Sequence, residues 1–266
     1  MRKIALYPTD LTEKQWELLQ LVLPPRPARK GPGRPPADLR GICNALLYLV
    51  RSGCAWRLLP RDFAPWQTVY DYFRRWSRQG CWKIIHGLLR DAVRKAAGKR
   101  SQPTAAILDS QTVRSADQAG ERGYDAAKKT KGIKRHILVD TLGLLLWVCV
   151  TGADVPEREG ARGFLGQALR RFRWLRCLWS DQGYGGPDFS AWVAARRKTG
   201  TLRLEVVERD PTQRGFGVLA KRWIVERTFG WFMKHRRLVR NYEIKPQHAE
   251  AWLHIAMTGL MLRRLA

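Results

Sequence analysis

The sequence predicts an α/β fold: a mixed sheet flanked by helices, preceded by a small all-α region of helix-turn-helix type. Three observations predict it. Residues 1–100 carry apolar side chains at helical spacing. Around Gly98 to Pro103 the pattern changes to short apolar runs, and from there strands alternate with helices. At 266 residues and 45% hydrophobic content, the chain is long enough to bury a sizeable core. The change of pattern divides it into residues 1–100 and 101–266.

Thr12 is positioned to cap a first helix through Glu13, Trp16, Leu19 and Val22, stopped by Pro24-Pro25. RPARKGPGRPPADL is too rich in Pro, Gly and Arg for regular structure and reads as a basic loop suited to a DNA backbone. A second helix runs from Asp38 to Ser52 and ends at Gly53, with Ile42, Leu46 and Leu49 on one face. WQTVYDYFRRWSRQG forms a third, and a fourth spans Trp82 to Ala97. Arg74, Arg75 and Arg78 on the third helix fit either a helix-turn-helix or a helical bundle with a solvated basic face.

Beyond the boundary, TAAILDS is a strand ending at Asp109. KRHILVD and LGLLLWVCVTGAD form two more, joined by a turn at Thr141 to Gly143. A helix over Pro156 to Arg171 precedes the strand LRCLWSDQGYG. A helix at Pro187 to Arg197, a strand LRLEVVE and helices at Lys221 to His235 and Gln247 to Leu265 complete the chain. On the last helix Trp252, Ile255, Leu260 and Leu262 suit either core packing or an interface.

Composition narrows the function. Lys and Arg number 49 against 23 acids, a net charge of +26. The two parts carry +13 each, so the charge is not a basic tail on a neutral enzyme. A polyanion is the expected partner, nucleic acid first, because each neutralised phosphate releases counterions. The longest apolar run, Leu142 to Val150, is too short to span a bilayer, and the first residues hold no secretory h-region. Five widely spaced cysteines without a C-x-x-C pair argue against a disulfide framework or zinc site and for a cytoplasmic protein with reduced thiols.

Three acids stand out. Asp109 and Asp181 each close an apolar strand, and such carboxylates converge at one edge of an open sheet. Glu226 sits within the aromatic-rich helix KRWIVERTFGWFMKHRRL, where Arg222, Glu226, Met233 and Arg237 share a face. Clustered carboxylates repel unless cations separate them, and an all-oxygen site suits Mg²⁺ or Mn²⁺. Two such ions about 4 Å apart clamp the oxygens of an in-line phosphoryl transfer. Spacing alone leaves Asp140 and Asp154 as alternatives at strand ends, and leaves Glu226 free simply to pair with Arg222.

Four blocks carry a resemblance: ILDSQTVRS, KKTKGIKRHILVDTLGLLL, LWSDQGYGG and RWIVERTFGWFMKHRRLVRNYE. With acids spaced by 72 and 45 residues, the sequence resembles the DDE transposases of bacterial insertion sequences, insertion-sequence family five. LTEKQWELLQLVLP and SGCAWRLLPRDFAPWQTVYDYFRRW resemble the N-terminal domain of that family, so the likeness covers nearly the whole chain. It implies a ribonuclease H-like catalytic core in which Asp109, Asp181 and Glu226 bind two Mg²⁺ ions. It implies an Arg one turn before the Glu, matched by Arg222, and a basic residue about two turns after it, where Lys234 falls one position late and Arg237 faces better. Both are expected to contact DNA phosphate, and Lys134, Arg135 and His136, placed before a core strand, the backbone near the scissile bond. The implied reaction is hydrolysis at the end of the element, then attack of the freed 3′-OH on target DNA, by an enzyme that works as a homodimer on terminal inverted repeats. A non-catalytic DNA-binding regulator and a nuclease without strand transfer are the competing readings. The setting expected is bacterial cytoplasm, nucleoid-associated when bound to DNA.

Overall fold

The computed structural model of the chain describes residues 7–25, 37–197, 202–207 and 220–266. The basic segment 26–36 lies outside the described residues.

Four helices open the fold. Thr12 accepts from Gln15 N, and the Gln15 side chain returns to the Thr12 backbone, a reciprocal cap that starts α1 (Glu13–Gln20). Asp38 caps α2 (Leu39–Ser52) by accepting from the N–H groups of Arg40 and Gly41. Gly53 ends α2 at φ 73°, a left-handed position that Gly fills without strain. After a short 3₁₀ turn at Trp56–Leu58, α3 (Trp66–Arg78) buries Val69, Phe73 and Trp76 at spacings of four and three. α4 (Cys81–Ala96) buries Ile85, Leu89 and Val93 the same way.

The sheet follows. It comprises β1 (Ala105–Arg114), β2 (Gly123–Asp125), β3 (Thr130–Asp140), β4 (Leu145–Gly152), β5 (Cys177–Ser180) and β6 (Arg203–Val206). The strand order is β2-β3-β1-β5-β6, with β4 also on β3. β1 runs antiparallel to β3, and β3 to β4. β5 runs parallel to β1 and β6 parallel to β5, so a crossover is needed. α5 (Glu157–Arg171) supplies it, and α6 (Pro187–Ala194) joins β5 to β6. α7 (Ala220–Met233), the short α8 (Arg236–Val239) and α9 (Pro246–Leu265) close the fold. A central β1 with an antiparallel hairpin on one side and parallel strands on the other is the ribonuclease H-like arrangement the resemblance implied.

Successive residues of β1 feed opposite apolar layers. Ala106 and Leu108 join Phe164, Leu165 and Leu178 in the layer of α5 and α6. Ile107 joins Ile137, Val139 and Val225 in a second layer, which continues without a break through α9 into α2, α3 and α4. α9 is apolar on nearly every side because it lies between those helices and the sheet. Trp252, Ile255 and Leu262 are buried in this core, stacked in part on Phe73 at 4.5 Å.

Three expectations need correction. β1 does not close at Asp109 but continues five residues to Arg114, because β3 pairs with it as far as Gly132. Lys134, Arg135 and His136 do not precede a core strand; they lie inside β3 and are 6%, 2% and 0% exposed. α7 stops at Met233, so Arg237 belongs to α8 and no longer shares a helical phase with Glu226.

Candidate active site

The pairing register assembles the two aspartates. Ala105, Ala106 and Ile107 face Cys177, Leu178 and Trp179, a constant offset of 72 residues. The same offset relates Asp109 to Asp181, which follows β5 in an extended conformation. Each acid thus lies two residues beyond the last paired positions, Ile107 and Trp179, close enough for the Asp181 charge to act on Asp109. Asp109 shares the parity of Ile107 and so belongs to the face on which α7 packs.

Asp109 is 8% exposed, and its Oδ1 accepts from Ser110 N at 2.7 Å. Burial first, and the charge of Asp181 second, push its pKa up to about 7. Ser110 N–H and Arg222 oppose that rise; Glu157 adds to it. Asp181 is partly exposed and accepts from Gly183 N at 3.1 Å, capping the 3₁₀ turn Gln182–Tyr184. Arg222, one turn before Glu226 on α7, is thus within electrostatic reach of Asp109. Glu226 is half exposed and lies 3.7 Å from Arg222.

The structure adds a residue that the sequence did not single out. Glu157, in the first turn of α5, accepts from Ser110 Oγ at 2.7 Å. Its sequence looks like an ordinary acid favoured by a helix N-terminus. The only signal available was its place, directly after the strand and turn that lead into the crossover helix. Below these acids Tyr184 is fully buried, its hydroxyl beside Ser110. Burial and the charges of Glu157, Asp109 and Asp181 raise its pKa well above the usual tyrosine value. Among the described residues, no three His, Cys, Asp or Glu side chains stand close enough together to hold a metal ion as they are. The donor chemistry still fits a hard divalent cation: every group is oxygen, and the charge of Asp181 opposes the ionisation of Asp109.

The rival acids have other employment. Asp140 is fully buried, pairs with Arg94 of α4 and accepts from the N–H groups of Leu142 and Leu144, both at 2.9 Å. Asp154 is exposed in the turn after β4, against Gly123 and Gly152.

The basic residues divide in two. Arg74 and Arg78 are exposed on α3, Arg75 lies over the Tyr72 ring at 4.3 Å, and Lys234 is exposed just past α7. The others face inward. Lys134 Nζ donates to Val155 O at 2.8 Å, Arg135 donates to Gln111 Oε1 at 3.4 Å, and His136 Nε2 lies 3.0 Å from Thr151 Oγ1. Burial pushes His136 down to about 4, so it is neutral near pH 7. Arg237 donates twice to Glu243 Oε1, at 3.1 and 2.8 Å, and once to Cys54 O at 3.1 Å. It is 7% exposed, so it braces α8 against the N-terminal helices.

All five cysteines carry free thiols, and among the described residues no helix is long and apolar enough to cross a membrane. A family model described as "Putative transposase of IS4/5 family" matches residues 11–86, and one described as "Transposase DDE domain" matches residues 100–262. Over 190 residues, 65% of this chain and 84% of the relative, the chain is 30% identical to a Burkholderia cepacia protein named "Putative transposase for insertion sequence element IS402". Over 108 residues, 39% of this chain and 72% of the relative, it is 31% identical to the Burkholderia cepacia "Insertion element IS402 uncharacterized 16.2 kDa protein". No solved structure matches. With the catalytic-domain model covering more than half of its length, this chain belongs to the DDE transposases of the insertion-sequence IS4/5 family.

Proposed function

We propose that this transposase binds the terminal inverted repeats of its element as double-stranded DNA, cleaves a phosphodiester at the element's end and joins the freed 3′-OH to target DNA. The observation that carries the reading is the convergence of the Asp181, Glu157 and Arg222 charges on the buried Asp109, with Glu226 one turn beyond Arg222 on α7. Asp109, Asp181 and Glu226 are the residues assigned to hold divalent cations, Mg²⁺ with Mn²⁺ as substitute. A bound pair of cations supplies charge neutralisation at the phosphate and a stronger nucleophile near neutral pH. Arg222 holds negative charge beside Asp109. The buried walls around Asp109 and Tyr184 exclude water and strengthen every charge interaction there.

The exposed Arg74 and Arg78, with Arg75 and Lys234, are assigned to DNA phosphate. Segment 1–100 is assigned to repeat binding and 101–266 to catalysis. Two ends must be held together for joining, so the working form is a homodimer on DNA, in the bacterial cytoplasm at the nucleoid.

The test is a strand-transfer assay with labelled element ends and a target plasmid in Mg²⁺. Asp109→Asn, Asp181→Asn and Glu226→Gln should each abolish joined product while DNA binding persists. Cleaved ends that never join would make the protein a nuclease. DNA binding without cleavage in the wild type would make it a regulator.

A further inference from the structure

Glu157 is not among the three acids of the proposed reaction, yet the fold brings it to them. α5 starts directly after the turn that follows β4, so its first residue arrives beside β1. Ser110, the neighbour of Asp109 in β1, donates to Glu157 Oε1 at 2.7 Å and fixes one oxygen. The other oxygen is located by Gly183. A Cβ placed there would lie 2.1 Å from Glu157 Oε2 and 3.1 Å from Asp181 Oδ1. The two carboxylate oxygens are therefore no farther apart than the sum of those distances. Only a residue without a side chain leaves that space open. The buried Tyr184 hydroxyl lies beside Ser110, within the fields of Glu157, Asp109 and Asp181.

We infer that Glu157 is a further carboxylate of this centre, sharing a divalent cation with Asp181 and Asp109. The separation suits the role. Mg²⁺ binds oxygens at about 2.1 Å, so two ligands across one ion stand about 4 Å apart, which lies within that bound. An ordinary structural acid at a helix N-terminus would cap backbone N–H groups of its own helix. No side-chain cap is formed at the start of α5, and Glu157 turns to Ser110 instead. The inference rests on the metal-dependent reading above and assigns that site one more ligand.

The experiment titrates the full-length chain with Mn²⁺ alone and follows free Mn²⁺ by electron paramagnetic resonance. Glu157→Gln should weaken binding at least tenfold while circular dichroism stays that of the wild type, and Glu157→Asp should recover part of the loss. Ser110→Ala, which keeps the carboxylate, should stay within about twofold of the wild type. Wild-type affinity in Glu157→Gln overturns the inference and leaves the Asp109–Asp181 reading intact. Equal losses in Ser110→Ala and Glu157→Gln also overturn it, because the strand anchor and not the carboxylate would then matter. Absence of Mn²⁺ binding by the wild type overturns the metal-dependent reading itself, and this inference with it.

Discussion

Asp109→Asn should make this protein more stable while removing its chemistry. The carboxyl group is 8% exposed, so solvent screens it little. Burial and the Asp181 charge push its pKa from the ordinary 3.8 up to about 7. The fold thus favours the protonated form. Below pH 4 both states hold the proton and there is no penalty. Between about pH 4 and pH 7 the unfolded chain releases it first, and stability falls as pH rises. Above pH 7 the whole penalty is present. Holding back ionisation to that extent costs roughly 4 kcal/mol. The amide keeps the oxygen that accepts from Ser110 N and carries no charge against Asp181. At 2–4 °C for each kcal/mol in a chain of this size, melting at pH 8 without divalent cations should rise by on the order of 10 °C. Differential scanning fluorimetry at pH 8 and at pH 4.5 measures it; the two proteins should converge at the lower pH. Added Mg²⁺ should raise the wild-type midpoint and leave Asp109→Asn unmoved. A variant that melts at or below the wild type at pH 8 would refute the idea that ionised Asp109 strains the empty centre.

Asp140→Ala strips the buried Arg94 of its partner and frees two turn N–H groups. It should cost about 3–5 kcal/mol in urea unfolding, and Arg94→Met should recover part of that. Glu226→Gln alters an exposed pair four residues apart. Its unfolding free energy should change by no more than about 0.5 kcal/mol, although strand transfer is lost. Arg74→Gln should lower the slope of log K against log salt by about 0.9 for the phosphate contact removed, read by fluorescence anisotropy across a salt series. Gly183→Ala places a methyl group against Glu157 Oε2 and should cut the rate of end cleavage with repeat affinity unchanged, as gel shift and cleavage assays on the same DNA will show.

Local rules reached the helices well, because their ends are written in single residues. Thr12, Asp38 and Gly53 act as caps whatever surrounds them. Strands were legible only where they are apolar. Thr130–Gly132 and the three residues of β2 pair through their backbones at the sheet's edge, with polar side chains that carry no period. The burial of Arg135 and His136 was hidden for a related reason. β3 is covered on both faces, so polarity does not alternate along it, and each of the two has an internal partner, Gln111 or Thr151, remote in sequence. The helix end at Met233 falls two residues before the expected His235, but KHRRL continues a plausible helical face, which is why Arg237 reads as in phase with Glu226. Of the site, Asp181 showed at the end of β5 and Asp109 after an apolar run, although β1 continues past it to Arg114. Glu157 did not, since its proximity to Asp181 is a property of the crossover and not of any local pattern.

The offset of 72 residues also bears on how a ribosome can make such an enzyme safely. Asp109 and Asp181 become neighbours only after β5 has slotted in beside β1, and Glu226 is translated later still. Long-range parallel pairing forms slowly, after loop closure has been met. On the proposed assignment, a nascent polypeptide that has not yet placed β5 lacks the paired aspartates, so its centre is assembled only when the sheet is complete.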